Sequence, residues 1–312
     1  MKSKHIISLL LVMALALSGC GGGSSQDSEE STLVIGVQDE LEGTDIQQIG
    51  WDTVAQSLIY EPLVVFNEDL SQMYPALAES YEVSADGLSI LFKLPEDLKF
   101  SNGDVCDANA VKASVERYIA ISEYASDLEA IDSIEVVDEY TIKYNLSTPA
   151  PYMWASIAST YGGVVNVAKA STMSDDEFNR SAVTVGPYAV ESWTQGSEIV
   201  LIKNEYYKTN NPMVKNKTGP DFDKIIIRFI PDEFTRVSEL ESGSVDIIYD
   251  VPASSIKELQ ENPDISTYMY KQAGSTYLNI QTEYGVTADI KVREAIASVS
   301  YTHLTLPTNR EV

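Results

Sequence analysis

Short apolar runs separated by polar turns recur along most of the chain. Residues 33–37 form a continuous apolar run typical of a buried strand, and residues 225–230 form a dense β-branched run suited to a central strand. Residues 81–83 and 88–94 flank an Asp-Gly pair at 86–87, which favours a tight hairpin turn. These patterns predict a framework of strands.

The other predicted elements alternate between hairpins and strand–helix–strand units. Two further hairpins are predicted, at 131–137 with 140–146 and at 189–193 with 198–203. Helices are predicted at 53–60, 108–118, 233–242 and 255–261. Further strands are predicted at 63–66, 245–249, 265–270 and 276–281. Asp107 is suited to cap the second helix, whose apolar positions share one face: Val111, Val115, Tyr118 and Ile119. This mixture predicts an α/β fold with a mixed sheet.

The amino terminus predicts export and lipidation. Cations at Lys2 and Lys4 precede an apolar run at 6–17, which is too short to span a bilayer comfortably and is typical of a signal peptide. Small residues and Cys20 follow, which resembles a bacterial lipobox. We expect a lipoprotein signal peptide at 1–19, a lipid on Cys20 and a flexible tether at 20–32. An ordinary signal peptide with an incidental cysteine is the alternative.

Composition argues against several functions. The net charge of −26 and pI near 4.3 disfavour nucleic-acid binding, which needs a basic surface. The only histidines are His5 and His303, which disfavours imidazole metal sites and His-assisted nucleophiles. Cys106, the only thiol after Cys20, is interpreted as a small residue on a loop or helix start. The acidic run at 175–177 is typical of a helix start. We therefore predict no catalytic residues, no metal site and no cofactor.

A series of motifs in a fixed order carries a family resemblance. They are Tyr60-Glu61-Pro62-Leu63, Pro75-Ala76-Leu77-Ala78-Glu79, Lys99-Phe100-Ser101-Asn102-Gly103, Val185-Gly186-Pro187-Tyr188, Glu241-Ser242-Gly243-Ser244-Val245-Asp246 and Tyr277-Leu278-Asn279. In this order the chain resembles the extracellular solute-binding proteins of family 5, the peptide/nickel class, which are capture subunits of ABC importers. The resemblance implies a binding protein rather than an enzyme.

The resemblance also implies an architecture. Members have a class II periplasmic-binding-protein-like α/β fold with mixed sheets and two lobes that close on a ligand. In this chain it implies lobe I at 33–280, with an inserted subdomain at about 69–185, and the start of lobe II at 281–297. Lobe II would be largely missing, because residues 298–312 depart from the family pattern and are interpreted as a non-native tail. A natural short paralogue is the alternative.

Candidate ligand-binding residues follow from the resemblance. They are Gln48, Ile49, Gly50 and Trp51 in the loop after the first strand, Tyr249 and Asp250 after a later strand, and Tyr277 and Asn279 near the lobe crossover. Gly50 would permit close approach of a ligand, and Trp51 could wall the cleft. Ordinary core packing is the alternative for the aromatic residues, and a turn or cap role is the alternative for Asp250.

The expected function is capture of di- and oligopeptides outside the cytoplasm and delivery to an ABC permease and ATPase complex. The membrane would be reached through the lipid on Cys20, with the protein on the periplasmic side or the outer surface. Another solute, such as a metal chelate, an opine or an oligosaccharide, remains open, as does a surface sensor of the same fold.

Overall fold

The computed structural model describes residues 31–217, 219–270 and 278–304, with side chains described as far as residue 299. The chain divides into two compact units, the first ending at Glu258 and the second beginning at Leu259. Each unit is described by itself below.

The strands of the first unit form a five-stranded, a four-stranded and a two-stranded sheet. They are β1 (Thr32–Val37), β2 (Val64–Phe66), β3 (Met73–Pro75), β4 (Ser80–Val83), β5 (Ser89–Lys93), β6 (Ile131–Asp138), β7 (Thr141–Leu146), β8 (Tyr188–Thr194), β9 (Glu198–Lys203), β10 (Lys224–Phe229) and β11 (Ile247–Ile248).

The helices, listed in chain order, are mostly short. They are α1 (Val54–Ile59), α2 (Ala108–Ile121), α3 (Trp154–Ile157), α4 (Val167–Ala170), α5 (Asp175–Arg180), α6 (Glu233–Glu241), α7 (Ile256–Glu261) and α8 (Ile290–Leu304). The first begins with a capping box in which Thr53 accepts from the backbone and the Gln56 side chain reaches back to Thr53. Ser174 and Glu177 form the same arrangement at the start of α5, so the acidic run at 175–177 is confirmed as a helix start.

The five-stranded sheet has the order β11-β1-β10-β9-β8. The β-branched strand β10 lies in its middle, which confirms the prediction of a central strand. It runs parallel to β1, with Ile35 opposite Ile227, and antiparallel to β9. Alternate residues of these strands, among them Ile199 and Leu201, enter a buried apolar cluster together with α1 and α5.

The four-stranded sheet is antiparallel, with the order β4-β5-β7-β6. Both predicted hairpins are confirmed, and Gly87 takes the positive φ of 70° that the first turn requires. Phe92 pairs with Ile142 in register, and its ring centroid lies 5.2 Å from that of Tyr144. These side chains, together with Val111 of α2, form a second buried cluster.

Helix α2 begins where it was expected, because the Asp107 side chain accepts a hydrogen bond from the Ala110 N–H at 2.8 Å. The predicted apolar face is wrong at Ile119, which is 37% exposed. Ser114 is buried instead and hydrogen-bonds Gln47, so the buried face of the helix is rotated towards Ser114. Polar contacts with a loop far away in the sequence determine which face of α2 is buried, and the spacing of apolar residues does not reveal such contacts.

Cys106 lies directly before the cap of α2 and is fully buried. Its backbone N–H donates to the Leu98 carbonyl at 3.0 Å. Burial, and the nearby charge of Asp107, raise the pKa of the thiol well above its usual range. This confirms Cys106 as a small packed residue at a helix start.

Several predicted strands towards the carboxyl terminus are shorter or absent. The strand predicted at 245–249 is reduced to Ile247–Ile248. No strand forms at 265–270, where the side chains of Tyr268, Met269 and Tyr270 are all more than 70% exposed, or at 278–281. A strand needs a partner edge, and β-propensity alone does not supply one. Residues 276 and 277 of the last predicted strand fall outside the described residues.

Helix α8 extends past Ser298, where the sequence pattern indicates a break. The interpretation of residues 298–312 as a tail stays a prediction. Within the described ranges, no helix is both long and apolar enough to cross a membrane.

Candidate ligand-binding site

The loop between β1 and α1 contains Gln48, Ile49, Gly50 and Trp51. Ile49 is 3% exposed and belongs to the apolar cluster of the main sheet, whereas Trp51 is 56% exposed. Gln48 is exposed, and its amide donates to an Asp45 carboxylate oxygen at 2.9 Å. The Trp51 ring is therefore available to a ligand, while Ile49 could offer only its backbone.

Gly50 is fixed through both of its backbone groups. Its N–H donates to Glu42 Oε2 at 2.6 Å, and its carbonyl accepts from the hydroxyls of Tyr124 and Tyr161, the latter at 3.2 Å. The two tyrosine rings meet edge to face with centroids 5.3 Å apart. Burial raises the pKa of Tyr161 to about 12, which keeps its hydroxyl a donor. Gly50 can therefore offer a ligand close approach, but its hydrogen-bonding groups are already used.

A buried ion pair holds the same loop against α2. The Asp45 side chain has no exposed area, and that of Arg117 is 14% exposed. The guanidinium makes two bonds to the carboxylate, at 2.6 and 3.2 Å, and a third to Gln47 Oε1 at 2.7 Å. Such bidentate pairing fixes both distance and orientation. The loop is thus anchored to an element that lies 72 residues further along the chain.

Tyr249 and Asp250 directly follow the short strand β11. The Tyr249 N–H donates to the Gly36 carbonyl at 3.3 Å, and the Tyr249 side chain is 37% exposed. Asp250 has a φ of +55°, a left-handed conformation that is uncommon outside glycine. Its carbonyl accepts from Arg236 Nη2 at 3.2 Å.

Arg236 of α6 is itself 1% exposed and binds carbonyl groups rather than a carboxylate in these contacts. Besides the Asp250 carbonyl, it donates to those of Ile230 at 2.6 Å and Pro231 at 3.1 Å. These groups follow β10 and β11, so one guanidinium ties the ends of both strands together. This connection keeps the turn at Asp250 in place.

The candidate loops begin at one edge of the main sheet. β1, β10 and β11 run in the same direction, so their carboxyl ends lie at one edge. In open α/β sheets, ligands bind outside the carboxyl ends of the strands. The loop that contains Gln48–Trp51 and the turn at Tyr249 both leave from this edge, which fits a ligand-binding role.

The remaining candidates are not brought to this edge by the described contacts. Asn279 is exposed and belongs to the second unit. Tyr277 and the lipidation residue Cys20 lie outside the described residues. The assignment of each candidate to the ligand stays a prediction.

Sequence reasoning missed the residues that position the loops. Arg117, Arg236, Tyr124 and Tyr161 carry no local motif, and each acts on backbone or side chains far along the chain or across a turn. Among the residues that the structure describes, no group of three or more His, Cys, Asp or Glu side chains could hold a metal ion.

A family model for bacterial extracellular solute-binding proteins, family 5 (middle), matches residues 72–299. The chain is similar to the probable D,D-dipeptide-binding periplasmic protein DdpA of Escherichia coli K12, with 26% identity over 71% of this chain and 42% of that protein. It is also similar to the nickel-binding periplasmic protein of the same organism, with 26% identity over 78% of this chain and 46% of that protein.

Among solved structures, the chain resembles the binding protein AgaA of A. tumefaciens R10 in complex with agropinic acid. The identity is 33% and the TM-score 0.65, over 74% of this chain and 46% of that one. The chain spans about half the length of the curated relatives it matches. Its mixed α/β fold is that of the class II periplasmic binding proteins. The chain belongs to the bacterial extracellular solute-binding proteins of family 5.

Proposed function

We propose that this protein captures di- and oligopeptides outside the cytoplasm and delivers them to an ABC permease and ATPase complex. The observation that carries the proposal is the carboxyl edge of the main sheet. There the exposed Trp51 ring lies on a rigidly anchored loop, and the exposed Tyr249 lies on a turn held by Arg236. Aromatic walls on rigid loops suit a cleft that receives varied side chains.

The chemistry available disfavours one of the other solute classes, a nickel ion bound directly by the protein. The named relatives bind different solutes: a D,D-dipeptide, nickel and, in the solved structure, agropinic acid. Residues 31–297 contain no histidine, which disfavours direct nickel coordination by imidazole. A metal chelate, an opine or an oligosaccharide is the second candidate, because the spread of relatives favours no single ligand.

The mechanism we propose is closure of two lobes. The first would span residues 33–280, with a subdomain inserted at about 69–185, and the second would begin at 281–297. A ligand would bind with main-chain hydrogen bonds much as an added strand does, and closure would hide it from water. Only the closed form would then be presented to the permease.

Two experiments test the ligand class. Native mass spectrometry of the purified chain is expected to reveal co-purified peptides. Titration calorimetry with a dipeptide, a tripeptide, nickel–histidine and agropinic acid should then show heat for the peptides. Trp51→Ala should weaken peptide binding about tenfold. Tyr152→Ala, which removes a comparably exposed ring outside the candidate loops, is the matched control and should leave affinity unchanged.

The outcomes separate the candidates. Binding of agropinic acid or nickel–histidine without peptide binding would replace the peptide assignment by another solute. Binding of none of the four solutes would contradict capture of di- and oligopeptides. Peptide hydrolysis by the purified chain would contradict a binding-only role, which the names of the relatives support.

We also propose that a lipid on Cys20 anchors the protein to the membrane. Cells that are fed a labelled fatty acid should incorporate the label into the wild-type chain and retain the chain in the membrane fraction. Cys20→Ser should abolish both. Equal membrane retention of the two would show that attachment does not depend on this cysteine.

A further inference from the structure

The first unit contains an open cavity of about 820 Å³ that none of the predicted ligand-binding residues lines. We call it the side cavity. Its walls come from the ends of α1 and β2, from α3 and from the segment 207–214. Small-molecule sites in proteins typically have volumes of about 300–1,000 Å³, so the size suits a ligand with tens of atoms.

The walls of the side cavity are mainly apolar and partly exposed. Val65, Phe66 and Trp154 are half-buried along it. Tyr152 is 52% exposed and Met213 is 44% exposed where they line it, so the cavity is open to solvent. An apolar surface with this much aromatic area favours a ligand with a flat apolar body.

Glu61 is the charged residue in this lining, and it is only 6% exposed. Its Oε1 accepts from the Thr209 hydroxyl at 2.6 Å. Its Oε2 is buried and has no hydrogen-bond partner among the described residues. Burying a carboxylate with one oxygen unbonded costs folding free energy, because that oxygen has lost its hydrogen bonds to water and has gained no others.

The groups facing Glu61 only partly compensate for its burial. Burial raises the pKa of Glu61 to about 7, and the hydroxyls of Thr209 and Tyr207 and the charge of Lys217 lower it. The Lys217 ammonium donates to the Asn211 carbonyl, so it is committed elsewhere. The Tyr207 hydroxyl has its own pKa raised by burial and by Glu61, so it stays neutral. Near neutrality the carboxyl group is therefore poised between its two protonation states.

We propose that the side cavity binds an organic ammonium ion with an apolar, aromatic body. Charge complementarity supports this occupant: the carboxylate of Glu61 lacks a committed cation, and the whole chain carries a net charge of −26. A cation at the cavity wall beside Glu61 would attract this buried carboxylate without displacing Thr209 from it, since Coulomb attraction acts over several ångströms. Trp154 and Tyr152 supply ring faces, which also attract ammonium groups.

Proton linkage gives this proposal a distinctive signature. An ammonium ion stabilises the ionised form of Glu61, so binding below the pKa must release a proton. Affinity should therefore rise as the pH increases through about 7 and level off above it. A neutral ligand of the same shape would show no such dependence.

The experiment compares tryptamine with tryptophol, which carries a hydroxyl in place of the amine. Binding to the whole chain is measured by equilibrium dialysis at about pH 6 and about pH 8, where tryptamine should gain up to about tenfold and tryptophol nothing. Glu61→Gln should remove both the pH dependence and the preference for tryptamine. Lys217→Met should strengthen tryptamine binding, because it removes a competing positive charge.

Ala155→Trp provides a second test that does not touch Glu61. Ala155 is exposed and lines the cavity next to Trp154, so a large side chain there should obstruct this aromatic wall without unfolding the protein. It should abolish tryptamine binding while leaving any solute at the sheet edge in place, which separates this site from the proposed capture site. No tryptamine binding, equal binding of both probes, or tryptamine binding that survives Ala155→Trp would overturn the proposal.

Discussion

Asp45 and Glu61 are buried carboxylates on either side of α1, and their surroundings differ. Asp45 receives hydrogen bonds from Arg117, from the Gln47 N–H at 3.1 Å and from the Gln48 amide. Glu61 accepts from Thr209 at 2.6 Å and faces the Tyr207 hydroxyl, while its Oε2 has no hydrogen-bond partner among the described residues. A buried carboxylate that is fully paired works as a structural anchor, whereas one that is partly paired remains responsive to protons and cations.

The largest effect is expected from breaking the Asp45 pair. Arg117→Met leaves a carboxylate with no exposed area and no cation, and should lower the free energy of unfolding by about 3–5 kcal/mol in urea denaturation. Asp45→Asn in the same chain should recover part of the loss. If Arg117→Met costs less than about 1 kcal/mol, Asp45 is no better anchored than a surface carboxylate.

The second effect concerns pH and Glu61. The folded pKa, about 7, lies above the ordinary value of 4.5, so the unfolded chain gives up this proton first. The contribution of Glu61 to the free energy of unfolding is therefore fully present below about pH 4.5. It falls by roughly 3 kcal/mol in all as the pH rises to about 7. Urea melts of Glu61→Gln across this window should lack that fall. An identical slope in both proteins would contradict the unpaired state of Glu61.

A smaller effect should follow from Thr209→Val, which keeps the shape and removes the hydroxyl. Glu61 would lose the hydrogen bond from Thr209, which lowers its pKa more than the Tyr207 hydroxyl does, so its pKa should rise further. The cost should be about 1–2 kcal/mol at alkaline pH, where Glu61 is ionised, and less at acid pH, where it is neutral. A pH-independent cost would mean that Thr209 acts mainly through its bond from the Asn211 N–H at 3.0 Å.

The smallest effect is expected at the loop that Asp45 anchors. Tyr161→Phe removes one of the two hydroxyls on the Gly50 carbonyl, and Tyr124 remains. Thermal unfolding should report a loss of about 1 kcal/mol or less. Tyr74→Phe, whose hydroxyl meets only the exposed Gln72 side chain in the described contacts, is the control and should change nothing. A loss larger than that of Arg117→Met would place more of the anchoring on the tyrosines than on Arg117.

Much of the first unit was predictable because local pattern and tertiary context agree there. The hairpin at Gly87, the cap at Asp107 and the central strand β10 each follow from a short stretch of sequence. The failures have a shared cause. Ile119 and the strand expected at 265–270 depended on which distant surface faces them, and a single sequence does not report that.

The sequence predicted the exposed residues of the candidate site but not the residues that hold its loops in place. The resemblance pointed to the loop of Trp51 and the turn of Tyr249, and both leave the carboxyl edge of the main sheet. The pairing of Asp45 with Arg117 joins residues 72 positions apart, and the bare oxygen of Glu61 depends on the packing of segment 207–214. No spacing rule relates such positions.

The buried Cys106 makes the protein suitable as an optical sensor. A thiol that is fully shielded and hard to ionise reacts slowly with maleimide dyes. With Cys20 replaced by serine, a cysteine introduced at Tyr249 would therefore be almost the only thiol that reacts with the dye. Its emission would report solute arrival at the sheet edge in real time, and the same labelled protein would show whether tryptamine in the side cavity alters that signal.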